Sequence, residues 1–312
     1  MDLNYELKRR ISTMPDMNEQ TESWSCLNIK GPDTRQFLQG QLTNDVALVS
    51  TEQAIHAGLC TPKGRLLANF YLLQIGEAES NDFLLLVPAS SASIVLTTLS
   101  KYIVFSKAAI SELQDWVVRS VLVDEGNSVL VEAPGKNALN CCPCSSGVLI
   151  RIEPMQARCL LACPVSEQKE LVENITYQNE NDWALQDIRA GLGFLQQETS
   201  DQFIPQMLNM HLTDGISFTK GCYTGQEIVA RAKYKGAVKR AIRRLSVCSQ
   251  NLPKAGTSVS NESGDKAIGT VISAAVADNE TVELLAVLNN PDNPAYLDGI
   301  AVESLPLPYE LD

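Results

Sequence analysis

The chain has 312 residues, 45% apolar and 20% charged, with nine cysteines and a formal net charge of −12. Its length allows a large core and two or three domains, and its acidic balance argues against general nucleic-acid affinity. No window nears the eighteen or more consecutive apolar residues of a membrane span, and residues 1–22 lack the apolar core of a signal peptide. An odd cysteine count in so long a chain suits reduced thiols in a cytoplasmic protein.

In chain order, residues 1–22 mix acids, bases and amides and read as a flexible arm. Trp24 to Lys30 reads as a strand stopped by Gly31-Pro32, and Asp33 with Gln36 has the spacing of a capping box opening a short helix to Gly40. Residues 56–60 and 66–75 read as paired strands around Thr61-Pro62-Lys63-Gly64-Arg65, with Leu67, Tyr71, Leu73 and Ile75 sharing a face by period two. Phe83 to Val87 is a further strand, Ser91 to Tyr102 a helix, and Trp116 to Val123 an alternating strand.

Cys141, Cys142, Cys144, Cys159 and Cys163 lack the paired spacing of a zinc ribbon, and the two histidines, His56 and His211, lie far off in sequence. A thiol-rich loop plus strand is the expectation there. Asp182 to Gly191 reads as a helix whose core stripe is Leu185, Ile188 and Leu192. Trp183 falls roughly opposite that stripe, so its indole needs a second domain or a ligand as partner. After about Arg240 short β-prone segments (244–248, 267–273, 282–288) are separated by Gly, Asn and Pro, as in a small barrel or sandwich. The predicted class is α+β, with an arm at 1–22, a core of two interleaved subdomains at 23–240 and a β-barrel domain at 241–312.

The segment Lys220-Gly221-Cys222-Tyr223-Thr224-Gly225-Gln226-Glu227 carries the densest chemistry. Thr224 and Glu227 have capping-box spacing, so Cys222 is expected just ahead of a helix N-terminus, with Lys220 beside it. Both features favour the thiolate, which makes Cys222 the candidate reactive group and Lys220 its assistant. The plainer alternative is a tight glycine turn around a small thiol. Seven of the fourteen residues from Arg231 to Arg244 are basic and none is acidic. Such a strip suits an anionic ligand or a polyanionic tail, or else is a solvated face.

This segment, with Val229-Ala230-Arg231 behind it and Phe203-Ile204-Pro205-Gln206 ahead, resembles the signature of the YgfZ branch of the folate-binding YgfZ/GcvT superfamily. Residues 37–45 (FLQGQLTND) and Cys60 with Pro62-Lys63-Gly64-Arg65 are similar to two further blocks of that branch. The resemblance implies a GcvT-like ring of three domains around a central channel holding tetrahydrofolate. It implies an accessory protein for synthesis or repair of iron–sulfur enzymes, including those that methylthiolate tRNA. Its partners would be folate and iron–sulfur client enzymes, with neither a membrane nor direct tRNA binding expected. The alternative is a folate-dependent one-carbon transferase of the aminomethyl type. Residues 88–96, which should supply that enzyme's carboxylate, hold no Asp or Glu.

A pterin is a flat bicycle that an indole can stack against. Trp116 reads as core. Trp24, placed like a tryptophan of the resembled family, and Trp183 are the candidates for folate contact, with interdomain packing as the alternative. Arg189, Lys63 and Arg65 are candidates for the glutamyl carboxylates of the folate tail.

Overall fold

A computed structural model describes residues 23–77, 79–123, 137–144, 147–153, 158–167, 175–235, 238–289 and 293–311. The expected arm at 1–22, and parts of the cysteine-rich region, lie outside them.

The described residues form three antiparallel sheets. The first contains β1 (Trp24–Lys30), β2 (Ile55–Cys60), β3 (Leu66–Gln74), β4 (Asp82–Pro88) and β5 (Ala109–Glu112), in the order β2-β3-β4-β1-β5. Its near-continuous apolar strands follow from burial on both faces. On one side Leu27, Ile29, Phe70, Leu72 and Leu85 meet Ala92, Val95 and Leu99 of the helix Ala89–Tyr102. On the other, Trp24, Cys26, Tyr71, Leu73 and Leu86 meet the second sheet. Each such fully buried aliphatic or aromatic side chain contributes about 1.5–3 kcal/mol. The register slips at Leu59/Cys60, and Leu67 packs with the helix-side cluster while Tyr71 and Leu73 face the second sheet. The single face expected for these residues is therefore split.

Numbering the helices in order, α1 is Thr34–Gln39 and α2 is Ala89–Tyr102. Asp33 stands at the N-cap of α1, but its carboxylate accepts from the Lys107 backbone N–H at 2.8 Å. It makes no capping bond within its own helix, so the expected capping box does not form.

The second sheet contains β6 (Trp116–Val123), β7 (Cys141–Cys144), β8 (Gly147–Arg151), β9 (Arg158–Pro164) and β10 (Ile175–Tyr177), in the order β10-β6-β9-β8-β7. The thiols of the cysteine-rich region thus lie largely in strands. Among the described residues no group of His, Cys, Asp and Glu is placed to hold a metal ion.

Helix α3 (Glu180–Ala190) begins where the Asn179 side chain accepts from the Asp182 N–H at 2.8 Å, and ends at Gly191 in the left-handed region. It is a two-faced partition. Ile188 and Leu185 pack toward the third sheet, while Trp183 packs between the first two. Helix α4 spans Gln226–Lys235. The third sheet contains β11 (Ala241–Cys248), β12 (Ser258–Ser260), β13 (Ala267–Val276), β14 (Thr281–Leu288), β15 (Tyr296–Leu297), β16 (Ile300–Ala301) and β17 (Glu303–Leu305), in the order β16-β15-β12-β13-β14-β11-β17. Its end strand β16 also approaches β11, so the sheet nearly closes into a barrel. No described helix is long and apolar enough to cross a membrane.

Candidate functional site

The segment 215–227 is stitched to the loop after α1. Thr43 Oγ1 donates to Gly215 O at 2.7 Å and accepts from the Gly58 N–H at 2.8 Å, tying segment, loop and β2 together. Asn44 donates to Asp214 O and His56 O at 2.7 and 2.9 Å. Lys220 is buried, and its ammonium donates to the carbonyls of Gln39, Leu42 and Asn44, each at 2.8 Å. Burial pulls its pKa down to about 8, opposed by the charge of Asp45. All three ammonium donors are thus spent on the Gln39–Asn44 segment and none on Cys222. Lys220 therefore anchors this loop, and the assistance to the thiol expected of it has no hydrogen bond to Cys222 among the described residues.

Cys222 itself is exposed. Helix α4 starts at Gln226, four residues after it. The Thr224 hydroxyl donates to Gln41 Oε1 at 3.3 Å, so the expected Thr224–Glu227 capping box is replaced by a contact to the anchored loop. Gly225 precedes the helix at φ +85°, where a Cβ would lie 2.5 Å from Thr61 O and 3.0 Å from Gly64 Cα. Two glycines are required there, because two backbones touch. The thiol is carried on a turn packed against the β2–β3 turn, ahead of the first helical turn where the dipole acts.

Residues 216–219, immediately before the anchor, line a cavity of about 1250 Å³, larger than a second one that it adjoins at Leu192. Its wall includes His56, Tyr71, Ile152, Glu153, Gln186, Arg189, Leu192, Phe218 and Lys233. His56 is buried, its Nε2 lies 3.1 Å from Asn69 Nδ2, and burial lowers its pKa to about 4 despite a bond to the Thr213 backbone, so the ring is neutral at physiological pH. Gln186 Oε1 is buried with no hydrogen-bond partner among the described residues, and Glu153 spends Oε1 on Arg158 at 3.0 Å.

The smaller cavity, of about 770 Å³, is lined by Trp24, Trp183, Asp187, Phe194, Glu198 and Lys254 among others, and shares Leu192 with the larger. Trp24 stacks on Tyr71 at 5.8 Å and meets Phe194 edge-on at 5.0 Å. Between the cavities runs a buried charge bridge. Arg158, fully buried in β9, ion-pairs with Glu153 of the larger cavity and, at 2.7 Å, with Asp187 of the smaller. Its guanidinium also lies 4.2 Å over the Trp183 ring. Burial raises the Asp187 carboxyl to about 6, against the lowering effect of Arg158.

The sequence-derived candidates are thereby dispersed. Trp24 and Trp183 sit together, but at the smaller cavity, with one face of each indole taken by Tyr71 or Arg158. Arg189 lines the larger cavity, yet its guanidinium is paired with Glu283, which Arg244 grips as well. Lys63 and Arg65 line neither cavity; their turn packs against α4, and Arg65 donates to Asp201 O. The basic strip divides too: Arg244 serves Glu283, Lys233 covers Phe218 at the cavity wall at 3.8 Å, and Arg231, Lys239 and Arg240 are exposed. Glu153, Gln186, Arg158, Asp187 and His56 had no motif to announce them. Their only trace is polar residues placed within apolar runs, such as Arg158 before Cys159-Leu160-Leu161.

Three antiparallel sheets, the last nearly closed, with cavities between them and an anchored cysteine loop, define a GcvT-like α+β protein. The aminomethyltransferase T of the glycine cleavage system from Bartonella henselae shares this fold, with a TM-score of 0.66 over 92% of this chain and 84% of that one, at 18% identity. No protein-family model matches the chain. The tRNA-modifying protein YgfZ of Photorhabdus laumondii is 32% identical over 327 aligned positions, covering 96% of this chain and 94% of that protein. YgfZ of Yersinia pseudotuberculosis serotype IB is 33% identical over 305 positions, covering 93% and 91%. The chain belongs to the YgfZ family of the YgfZ/GcvT superfamily.

Proposed function

We propose that this chain is a cytoplasmic, tetrahydrofolate-binding accessory protein that supports synthesis or repair of iron–sulfur enzymes, and through them tRNA modification, with Cys222 as its working thiol. The observation that carries the folate half is the larger cavity. Its volume exceeds the roughly 300–1,000 Å³ of ordinary ligand sites, leaving room for a tail as well as a ring system. Its wall also carries acceptors without a full set of donors, at Gln186 and Glu153. A pterin offers a donor edge of ring N–H and amino groups that such acceptors suit, while Ile152, Leu192 and Phe218 supply apolar walls. Lys233 at the cavity wall suits the anionic tail, and Arg189 is a weaker candidate while Glu283 holds it. Bound tetrahydrofolate would supply a one-carbon carrier; this chain's own contribution is to bind and orient it out of bulk water.

The thiol half rests on family membership and on the exposed position of Cys222. The likeness to the Bartonella aminomethyltransferase is at 18% identity and carries the fold alone. The test is a tetrahydrofolate titration of wild type, Glu153→Gln and Cys222→Ala, each also assayed for rescue of iron–sulfur enzyme activity in deficient cells. Weakened binding in the first variant, with normal binding but lost rescue in the second, supports both halves. Normal binding by Glu153→Gln overturns the assignment of the cavity, and full rescue by Cys222→Ala overturns the thiol.

A further inference from the structure

The outward face of α4 is largely exposed among the described residues, and its chemistry is specific. Ile228, Arg231 and Tyr234 recur at intervals of three and therefore share one helix face. Ile228 is 38% exposed, Tyr234 is 70% exposed and Arg231 is exposed. The inward face is Val229, which is fully buried and whose carbonyl accepts from Gln206. The β2–β3 turn borders this stripe, since a Cβ on Gly64 would meet Ile228 Cβ at 2.7 Å. That contact sets the exposed Lys63 and Arg65 alongside, and the same turn packs under Gly225, three residues from the exposed Cys222.

We propose that this surface is a docking site for an acidic segment of a protein partner, which it brings to Cys222. The inference rests on reading Cys222 as a thiol that acts on a partner. Charge complementarity carries it: Lys63, Arg65 and Arg231 are exposed cations around apolar anchors, with Glu227 as the exposed acid on the helix. An isoleucine and a tyrosine flanking an arginine have the composition of a protein-interface centre. The net charge of −12 opposes a polyanion as long as RNA more than it opposes a short acidic segment. Lys233 bridges the cavity wall and this face, its ammonium 3.8 Å over Phe218 and 5.7 Å over Tyr234, and adds to its positive charge; Arg189 and Arg244 are turned to Glu283 and take no part.

The test uses two peptides, one Glu-rich and one Gln-rich, each bearing a cysteine activated as a mixed disulfide with thionitrobenzoate. Attack by the Cys222 thiolate forms the protein–peptide disulfide and expels one equivalent of coloured thionitrobenzoate, so the exchange rate reads encounter at that thiol; mass mapping fixes the site. The full chain should react with the Glu-rich peptide roughly tenfold faster than with its neutral twin at low ionic strength, and the preference should vanish in high salt. Arg231→Glu with Tyr234→Ala should abolish the preference while leaving the rate with the neutral peptide unchanged. Equal rates for both peptides in wild type overturn the docking site but leave the thiol reading standing. No reaction at Cys222 with either peptide overturns the thiol reading itself. Suppression of exchange by unmodified tRNA at the same residues would assign the face to RNA, and a concentration-dependent dimer lost in Tyr234→Ala would assign it to a second copy; either result overturns the proposal.

Discussion

Residues 216–219 line the larger cavity, while Cys222, three residues further on, lies at the surface. Between them Lys220 is buried and fastened to three carbonyls. The cavity side is held by largely buried groups: a neutral His56, the Arg158 bridge and an aromatic cluster. The thiol side is held by two backbones in contact at Gly64 and Gly225 and by Thr224, which bonds Gly40 and Gln41, while Cys222 itself is exposed. The difference teaches that the signature segment does not itself build one site. It joins a partly open cavity, proposed above for a small molecule, to an exposed thiol, proposed above for a macromolecule, and the lysine fixes the crossing point.

The largest effect is expected where burial is deepest. Arg158→Met leaves Glu153 and Asp187 in the wall between the cavities without their cation, and should lower unfolding stability by about 3–5 kcal/mol in urea titration. A loss under about 1 kcal/mol would mean that the wall does not depend on the bridge. Lys220→Met removes three charge-assisted bonds and strands three carbonyls; about 3 kcal/mol is expected, together with faster amide exchange across residues 39–44. If stability hardly changes, the contrast between anchored and open halves breaks.

The next effect is one of pH. The folded pKa of His56 is near 4 and the ordinary value near 6.5, so the unfolded chain takes up a proton over that interval while the native protein does not. Stability from this group is complete above about 6.5 and falls as pH drops through the window, by at most about 3 kcal/mol. Asp187, raised to about 6, has the opposite sign, because the native state holds the extra proton. The His56 effect is therefore read as the difference between wild type and His56→Gln across pH 4–7, and parallel curves would refute it. Smaller again is Glu153→Gln, which keeps the shape of the cavity wall but removes a charged acceptor and should weaken tetrahydrofolate by about 1–2 kcal/mol. Last, Cys222→Ser should shift stability by less than about 0.5 kcal/mol, since an exposed side chain is exchanged for a near isostere. A larger shift would make Cys222 part of the architecture.

Much of the fold was legible because it is written locally. The strands at Trp24–Lys30 and Trp116–Val123 have the expected bounds, and the helix expected from Asp182 starts two residues earlier, at Glu180, where Asn179 supplies the cap. Helix ends were read less well where a side chain had a stronger distant partner. Asp33 turns to Lys107 and Thr224 to Gln41, contacts 74 and 183 residues apart in sequence that no capping pattern encodes.

Periodicity, capping residues and turn glycines act within a few residues, so sequence alone determined the class, the elements of the first 123 residues apart from β5, and the prominence of the Cys222 segment. It also indicated that Trp183 faces away from Leu185 and Ile188, because that depends only on 100° per residue; Leu192, expected on the same stripe, lies past the helix end and packs with the Trp183 cluster instead. What Trp183 meets there, Arg158 at 4.2 Å, depends on a strand 25 residues earlier folding across it. Tertiary structure alone decided that Lys220 anchors a loop, that Arg189 is held by Glu283, and that Lys63 and Arg65 stand beside α4 instead of at a cavity. A side chain's charge is fixed by its identity, but its partner is fixed by which distant backbones pack together, and that choice is made by the whole core at once.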